Sequence, residues 1–281
     1  MRTPLLIACA ALLAGCANTI NHLDPAGPRF EGTFAPAIAH ADASRGRIRV
    51  ATFNVRYGRA VDSTVALLRD APELSGADVI VLQEMDDAGV ERIARALALN
   101  YVYFPSSIHP TEGRHWGPAL LTPWPIDSAW KVLFPHEDAI RRGRHSATAA
   151  RVMVRGRSVR VYSVHFEVAF RMGRARREDQ VAAVLADAQG APEPVVVAGD
   201  FNDWSLGEYI ADRGYQWATR DTRSSLLVFH LDHVLARGFE VRAAGVVRER
   251  RGASDHRPVW AELEPLSASV SQGIPSETSP L

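Results

Sequence analysis

Apolar residues in this chain gather into short, dense runs, and several runs stop at a polar residue of defined chemistry. Arg47–Phe53 alternates polar with apolar positions and ends at Asn54, while Asp78–Leu82 is nearly all apolar and ends at Gln83 and Glu84. Val159–Val164 runs out at His165, and Pro194–Gly199 at Asp200. Their lengths and β-branched content predict strands. Between them the period becomes helical: Ser63–Arg69, expected to start at a Ser cap, turns Val65 and Leu68 to one side, and Val90–Leu99 and Glu178–Ala188 carry similar stripes. These stripes predict core-facing helices without a chemical role. A polar side chain at the end of a buried strand is held by a rigid framework and still reaches solvent. One mouth of the sheets is therefore expected to collect the chemistry.

The two ends of the chain carry a different pattern. Met1 and Arg2 precede an apolar stretch over Leu5–Leu13, which closes on Leu13-Ala14-Gly15-Cys16. That stretch is too short for a bilayer-spanning helix, which needs about 20 apolar residues, and residues 1–15 look like a bacterial lipoprotein signal peptide. Cleavage would leave Cys16 first, as the site of lipidation. By resemblance to lipoproteins of Gram-negative bacteria, Ala17 after it favours an outer-membrane anchor facing the periplasm. Cys9 would leave with the signal, so no cysteine remains for a disulfide or a thiolate metal site. Residues 16–45 contain Pro25, Gly27, Pro28, Gly32 and Pro36 without sustained periodicity and read as a flexible tether. Residues 267–281, rich in Ser, Thr and Pro, read as a disordered tail. The remainder, 46–266, suits one domain with its own core, has no internal repeat, and is expected to be a monomer.

Charge refines this picture. Lys+Arg and Asp+Glu balance at 32 each, which argues against a wholly basic surface. The arginines nonetheless cluster: Arg141, Arg142 and Arg144 precede one strand, Arg171, Arg174, Arg176 and Arg177 follow His165, and Arg248, Arg250 and Arg251 precede Asp255. Guanidinium forks suit phosphate oxygens, so Arg144 and Arg174 are expected to bind the substrate.

The candidate chemistry stands in the fragments Gln83-Glu84, Gly199-Asp200-Phe201-Asn202-Asp203, Leu231-Asp232-His233 and Ser254-Asp255-His256-Arg257-Pro258. Hard oxygen ligands with imidazoles are what hydrolysis of a phosphate ester at a divalent metal requires. Glu84 is the first choice for the principal ligand, because Mg²⁺, or Mn²⁺ in its place, is held by few carboxylates. Asn54 and Asp255 are expected to complete the metal contacts. With Phe53-Asn54-Val55 and Ser163-Val164-His165 added, this colinear series resembles the endonuclease/exonuclease/phosphatase superfamily over roughly Ile48 to Leu263.

The resemblance implies a DNase I-like α/β fold, a four-layered α/β/β/α sandwich of two mainly antiparallel sheets flanked by helices. It also implies roles. Asp200 would orient or deprotonate the attacking water, Asn202 would hydrogen-bond the phosphate, and His165 would sit on the leaving-group side. Asp232 would fix the ring of His256, which would act as an electrostatic clamp or as a general acid/base. His233 is expected to face away and pack. The chain departs from the family pattern at Pro118 and Pro123, where an asparagine and an arginine are usual, and at Arg56, where the AP endonucleases carry a metal-binding aspartate.

The implied activity is that of a Mg-dependent phosphoesterase acting on a phosphodiester or phosphomonoester. The substrate would be a nucleic acid, a phospholipid head group or a small phosphodiester, and the protein would meet the membrane through its lipid anchor. The rival reading is a catalytically weak, membrane-tethered binding protein for anionic phosphate ligands. The full set of Glu84, His165, Asp200, Asn202, Asp232, Asp255 and His256 speaks against it, since binding alone does not require all of them.

Overall fold

The computed structural model describes residues 19–37 and 46–266. In chain order its elements are β1 (Ile20–Asn21), β2 (Phe30–Gly32), β3 (Ile48–Asn54), α1 (Val61–Asp70), β4 (Val79–Met85), α2 (Asp87–Leu97), β5 (Asn100–Tyr103), β6 (Ser107–Ile108), β7 (His115–Thr122), β8 (Ile126–Leu133), β9 (Ser146–Val154), β10 (Arg157–His165), α3 (Arg174–Ala188), β11 (Val195–Asp200), α4 (Trp204–Ala211), β12 (Gln216–Trp217), β13 (Asp232–Arg237), β14 (Phe239–Val246) and β15 (Val259–Pro265). One sheet runs β1-β6-β7-β4-β3-β15-β14, with β5 also beside β7 and β2 beyond β5; the other runs β12-β13-β11-β10-β9-β8. Each holds one parallel pair, β3 with β4 and β10 with β11.

Strands buried on both faces read as unbroken apolar runs, which is why β4 and β11 show no alternation. Their residues still divide between layers. Val50, Val79 and Val81 meet Val152, Val161 and Val196 in the interior between the sheets. Phe53, Ile80 and Leu82 pack with Leu67 and Ile93 under α1 and α2, while Tyr162, Val164 and Val197 pack with Val181, Leu206 and Ile210 under α3 and α4. The result is the α/β/β/α order of layers that the resemblance implies.

The helices begin earlier than their apolar stripes. α1 starts at Val61 behind Ala60, and no side chain caps it, so Ser63 lies inside the helix. α3 starts at Arg174, four residues before Glu178, because its first turn is polar and exposed. α2 starts at Asp87, where the Asp86 carboxylate accepts from the Gly89 N–H at 2.6 Å.

Residues 19–37 correct the expectation of a tether over 16–45. β1 pairs with β6 and β2 with β5, which extends the first sheet. The buried Lys131 ammonium donates to the carbonyls of His22, Asp24 and Gly27 at 3.3, 3.2 and 2.7 Å, and burial draws its pKa down to about 8. The Thr19 N–H reaches the Arg141 carbonyl at 2.9 Å, and Asn21 bonds both the Arg142 carbonyl and the Arg144 N–H at 2.8 Å. Edge strands this short tolerate the prolines and glycines that read as a linker. Cys16, the proposed signal over 1–15 and the tail over 267–281 lie outside the described residues. No helix among the described residues is long and apolar enough to cross a membrane.

Candidate active site

The strand ends meet at one mouth because of register. Asn54 stands beside Gln83, His165 beside Asp200, and Asp200 beside Asp232. Gly199 makes the second of these contacts feasible: a Cβ there would lie 1.9 Å from the Val164 carbonyl oxygen, so only glycine lets β11 lie against β10 at this point. At the corresponding end of β4 the ladder is irregular between Leu82 and Met85, and Glu84 takes a left-handed φ of 59°. Arg56, Tyr57 and Asn202 share that conformation, at 46°, 59° and 54°. Each such residue stores roughly 1–3 kcal/mol of strain, which the surrounding packing must sustain.

Asn54 joins the two sheets. Its amide nitrogen donates to Glu84 Oε1 at 3.1 Å and to Asp200 Oδ2 at 2.9 Å, while its oxygen accepts the Arg56 N–H at 3.0 Å. Glu84 Oε2 accepts from the Tyr57 N–H at 3.1 Å. Burial raises the Glu84 pKa in spite of the Asn54 hydrogen bond and the nearby His256. Asp255 stands at the rim, half-exposed, with Oδ2 3.5 Å from Arg56 Nε, and its charge adds to the rise at Glu84.

Asp232 Oδ2 and His256 Nδ1 are 2.7 Å apart. Burial alone would lower the His256 pKa, but the charges of Asp232 and Asp200 outweigh it and raise the pKa well above the usual imidazole range. His256 is therefore a cation near neutrality. Asp200 is fully buried; desolvation raises its pKa and the charge of Asp232 adds to the rise, against the opposing pull of His256 and Asn54. Its Oδ2 lies 3.8 Å from His256 Nε2 and 3.6 Å from His165 Nε2. Burial, with the charges of His145 and His256, holds His165 well below the usual range. His165 is neutral, so its approach to Asp200 is not an ion pair, and its Nδ1 is buried without a partner.

Asn202 does not continue an extended strand. Its N–H bonds Asp200 Oδ1 at 2.9 Å in a tight turn, and its amide nitrogen donates to the Phe166 carbonyl at 2.9 Å. His233 packs behind the site as expected, against Phe201, Trp204 and Trp217.

Glu84, His165, Asp200, Asn202 and His256 line a cleft of about 240 Å³. Asn54, Asp232 and Asp255 support it from behind and from the rim. The two arginines expected to bind substrate are not brought in. Arg144 Nε donates to the Phe134 carbonyl at 2.6 Å, and Arg174 pairs with Glu178 at 2.7 Å on the exposed first turn of α3. Arg141 and Arg171 line the cleft instead. So do Trp116 and the buried pair His145 and Glu167, whose Nε2 and Oε2 are 3.2 Å apart. Of these, Arg141 and Arg171 belong to arginine clusters visible in the sequence, and Glu167 lies two residues after His165.

The donor set fits a hard divalent cation. Glu84 is a carboxylate whose ionised form suffers from burial, with the Asn54 amide nitrogen bonded to it at 3.1 Å and the Asp255 carboxylate close enough to perturb it. A second group, Asp200, Asp232 and His256, offers ligand atoms within 4.8 Å of one another. There the His256 ring is bonded through Nδ1 to Asp232 at 2.7 Å.

Comparison with known proteins bears on the family and the fold. A model of the Endonuclease/Exonuclease/phosphatase family matches residues 51–256. The chain is 28% identical over 249 residues to the uncharacterized protein YbhP of Escherichia coli, which spans 76% of this chain and 95% of that protein. An endonuclease/exonuclease/phosphatase structure from Beutenbergia cavernae superposes with a TM-score of 0.64 at 22% identity, over 81% of this chain and 74% of the other. A mannosyl-6-phosphatase of Bacteroides thetaiotaomicron superposes at 0.59 with 17% identity, over 77% and 99%. At these identities the solved structures establish a shared fold.

Proposed function

Since the chain belongs to the Endonuclease/Exonuclease/phosphatase family, we propose that it is a metal-dependent phosphoesterase that hydrolyses a phosphate ester by in-line attack of water. The observation that carries this reading is the Asn54 amide, which spans Glu84 and Asp200 and so ties a candidate metal carboxylate to a candidate base. A divalent cation, Mg²⁺ or Mn²⁺, held by Glu84 with Asn54 and Asp255, would neutralise phosphate charge and polarise the ester.

The chain's own residues supply the rest. Asp200, with its raised pKa, is a better proton acceptor than an ordinary carboxylate, and its Oδ2 is fixed by Asn54. His256, held charged by Asp232, places a cation where negative charge develops on the phosphate oxygens. Neutral His165 stands on the same cleft wall, where a ring N–H can donate a hydrogen bond toward the leaving oxygen. No covalent intermediate is required.

Glu84→Gln tests the metal role, since it removes anionic ligation at nearly constant volume. Turnover of bis(p-nitrophenyl) phosphate at limiting Mg²⁺ should fall at least about a hundredfold with the fold intact. Wild-type turnover under those conditions removes Glu84 from the site. As to location, the segment Leu13-Ala14-Gly15-Cys16 supports lipidation of Cys16 in the cell envelope. Cys16→Ser should move the protein out of the membrane fraction; unchanged fractionation and electrophoretic mobility would overturn the anchor.

A further inference from the structure

Eight large apolar side chains stand exposed among the described residues, and five of them, Ile140, Phe170, Leu227, Val228 and Phe229, lie on three loops. Those loops share one end of the second sheet. One precedes β9, whose start lies beside the end of β10; one follows β10 at His165; one precedes β13 at Asp232. In the strand order β13-β11-β10-β9 they straddle the ends of β10 and β11, where His165 and Asp200 open into the cleft. Leu227, Val228 and Phe229 are 73%, 76% and 56% exposed at the tip of a narrow turn closed by Leu226 and Phe229. Phe170 is 74% exposed on the neighbouring loop.

We infer that this face docks on an anionic phospholipid bilayer, so that the cleft acts on phosphate esters presented at the membrane surface. The substrate part of this inference rests on the phosphoesterase reading; the docking does not. Solitary exposed apolar residues are ordinary on a protein surface, but a set gathered around one cleft is not. Charge points to the occupant. Arg141, Arg171, Arg176 and Arg223 lie on or beside these loops without a carboxylate partner among the described residues, whereas neighbouring Arg142 and Arg174 are paired with Glu137 and Glu178. Apolar tips interleaved with unpaired arginines match a membrane interface, where the former enter the head-group boundary and the latter meet lipid phosphates.

Chain length points the same way. Thr19 lines the cleft, and Cys16 precedes it by three residues. Three extended residues span at most about 10 Å. A lipid on Cys16 would therefore hold this mouth, and not the far end of the sandwich, against the bilayer.

The test uses the full chain with Cys9 and Cys16 replaced by serine and one nitroxide label, at Val228→Cys or, as a control at the far end of the sheets, at Glu240→Cys. With phosphatidylglycerol vesicles and EDTA, the label at 228 should become shielded from a water-soluble relaxant and accessible to oxygen, while the label at 240 stays in water. A label at 228 that remains in water overturns the inference. Equal insertion into phosphatidylcholine, or spin–spin broadening that reports a second copy on this face, overturns it as well.

A second arm separates docking from chemistry. Leu227→Ser/Val228→Ser/Phe229→Ser should lower hydrolysis of an acyl-chain nitrophenyl phosphodiester in phosphatidylglycerol vesicles by at least about tenfold and leave soluble bis(p-nitrophenyl) phosphate unchanged. Equal loss on both substrates contradicts the surface role. Failure of the wild type to hydrolyse either would sink the phosphoesterase reading, with docking still decided by the depth of the label.

Discussion

His256 owes its charge to two carboxylates, and Asp232 holds it at 2.7 Å through Nδ1, which leaves Nε2 facing Asp200 and the cleft. Removing the Asp232 charge lowers a histidine pKa, so Asp232→Asn should cost turnover about a hundredfold or more and shift the basic limb of the pH profile downward. His256→Ala should cost a similar amount. Because the two act as one unit, the double variant should be little worse than the poorer single one. Additive losses, or an unmoved basic limb in Asp232→Asn, would separate the pair. These residues were legible in sequence because each ends, begins or precedes a strand at one mouth, so that a run of apolar residues announces where the polar one is placed. Arg144 and Arg174 turn away from the cleft because an arginine's partner is set by its neighbours in the fold: the Phe134 carbonyl takes one and Glu178 the other. Arg141 and Arg171 reach the cleft through loop paths that no periodicity encodes.

Elements divide along similar lines. The doubly buried strands β4 and β11 could be read directly, because burial on both faces leaves unbroken apolar runs. Helix starts were less legible, since neither α1 nor α3 has a side-chain cap to mark its first residue. The least legible elements were β1 and β2, at two and three residues each. Such strands are too short to show alternation, and what holds them is distant: the Lys131 ammonium collects three of their connecting carbonyls, and β5 and β6 supply the pairing. Their placement has a functional side. Through Thr19 and Asn21 the first of them braces Arg141, Arg142 and Arg144, so the segment read as a tether instead forms part of the cleft wall.

For the molecule as a whole, two buried histidines bound the pH range of greatest stability from opposite sides. His256 has a folded pKa above its unfolded value, so its contribution is complete below about 6.5 and is lost as pH rises toward the folded value. His233 behaves in the opposite sense. Burial, opposed by the charge of Asp232, lowers its pKa to about 4, and its ring is held neutral between the Trp217 indole N–H at 3.3 Å and the His230 carbonyl at 3.0 Å. An unfolded chain would take up that proton near pH 6.5, whereas the folded one refuses it until pH is about 4. Stability linked to His233 is therefore full above about pH 6.5 and lost as pH falls to about 4, a difference on the order of 3 kcal/mol. Denaturant unfolding at about pH 7 and about pH 5 should show wild type losing roughly 2 kcal/mol more over that interval than His233→Gln, whatever the variant costs at neutrality. Parallel acid limbs in the two proteins would show that His233 titrates alike in both states and that acid unfolding begins elsewhere.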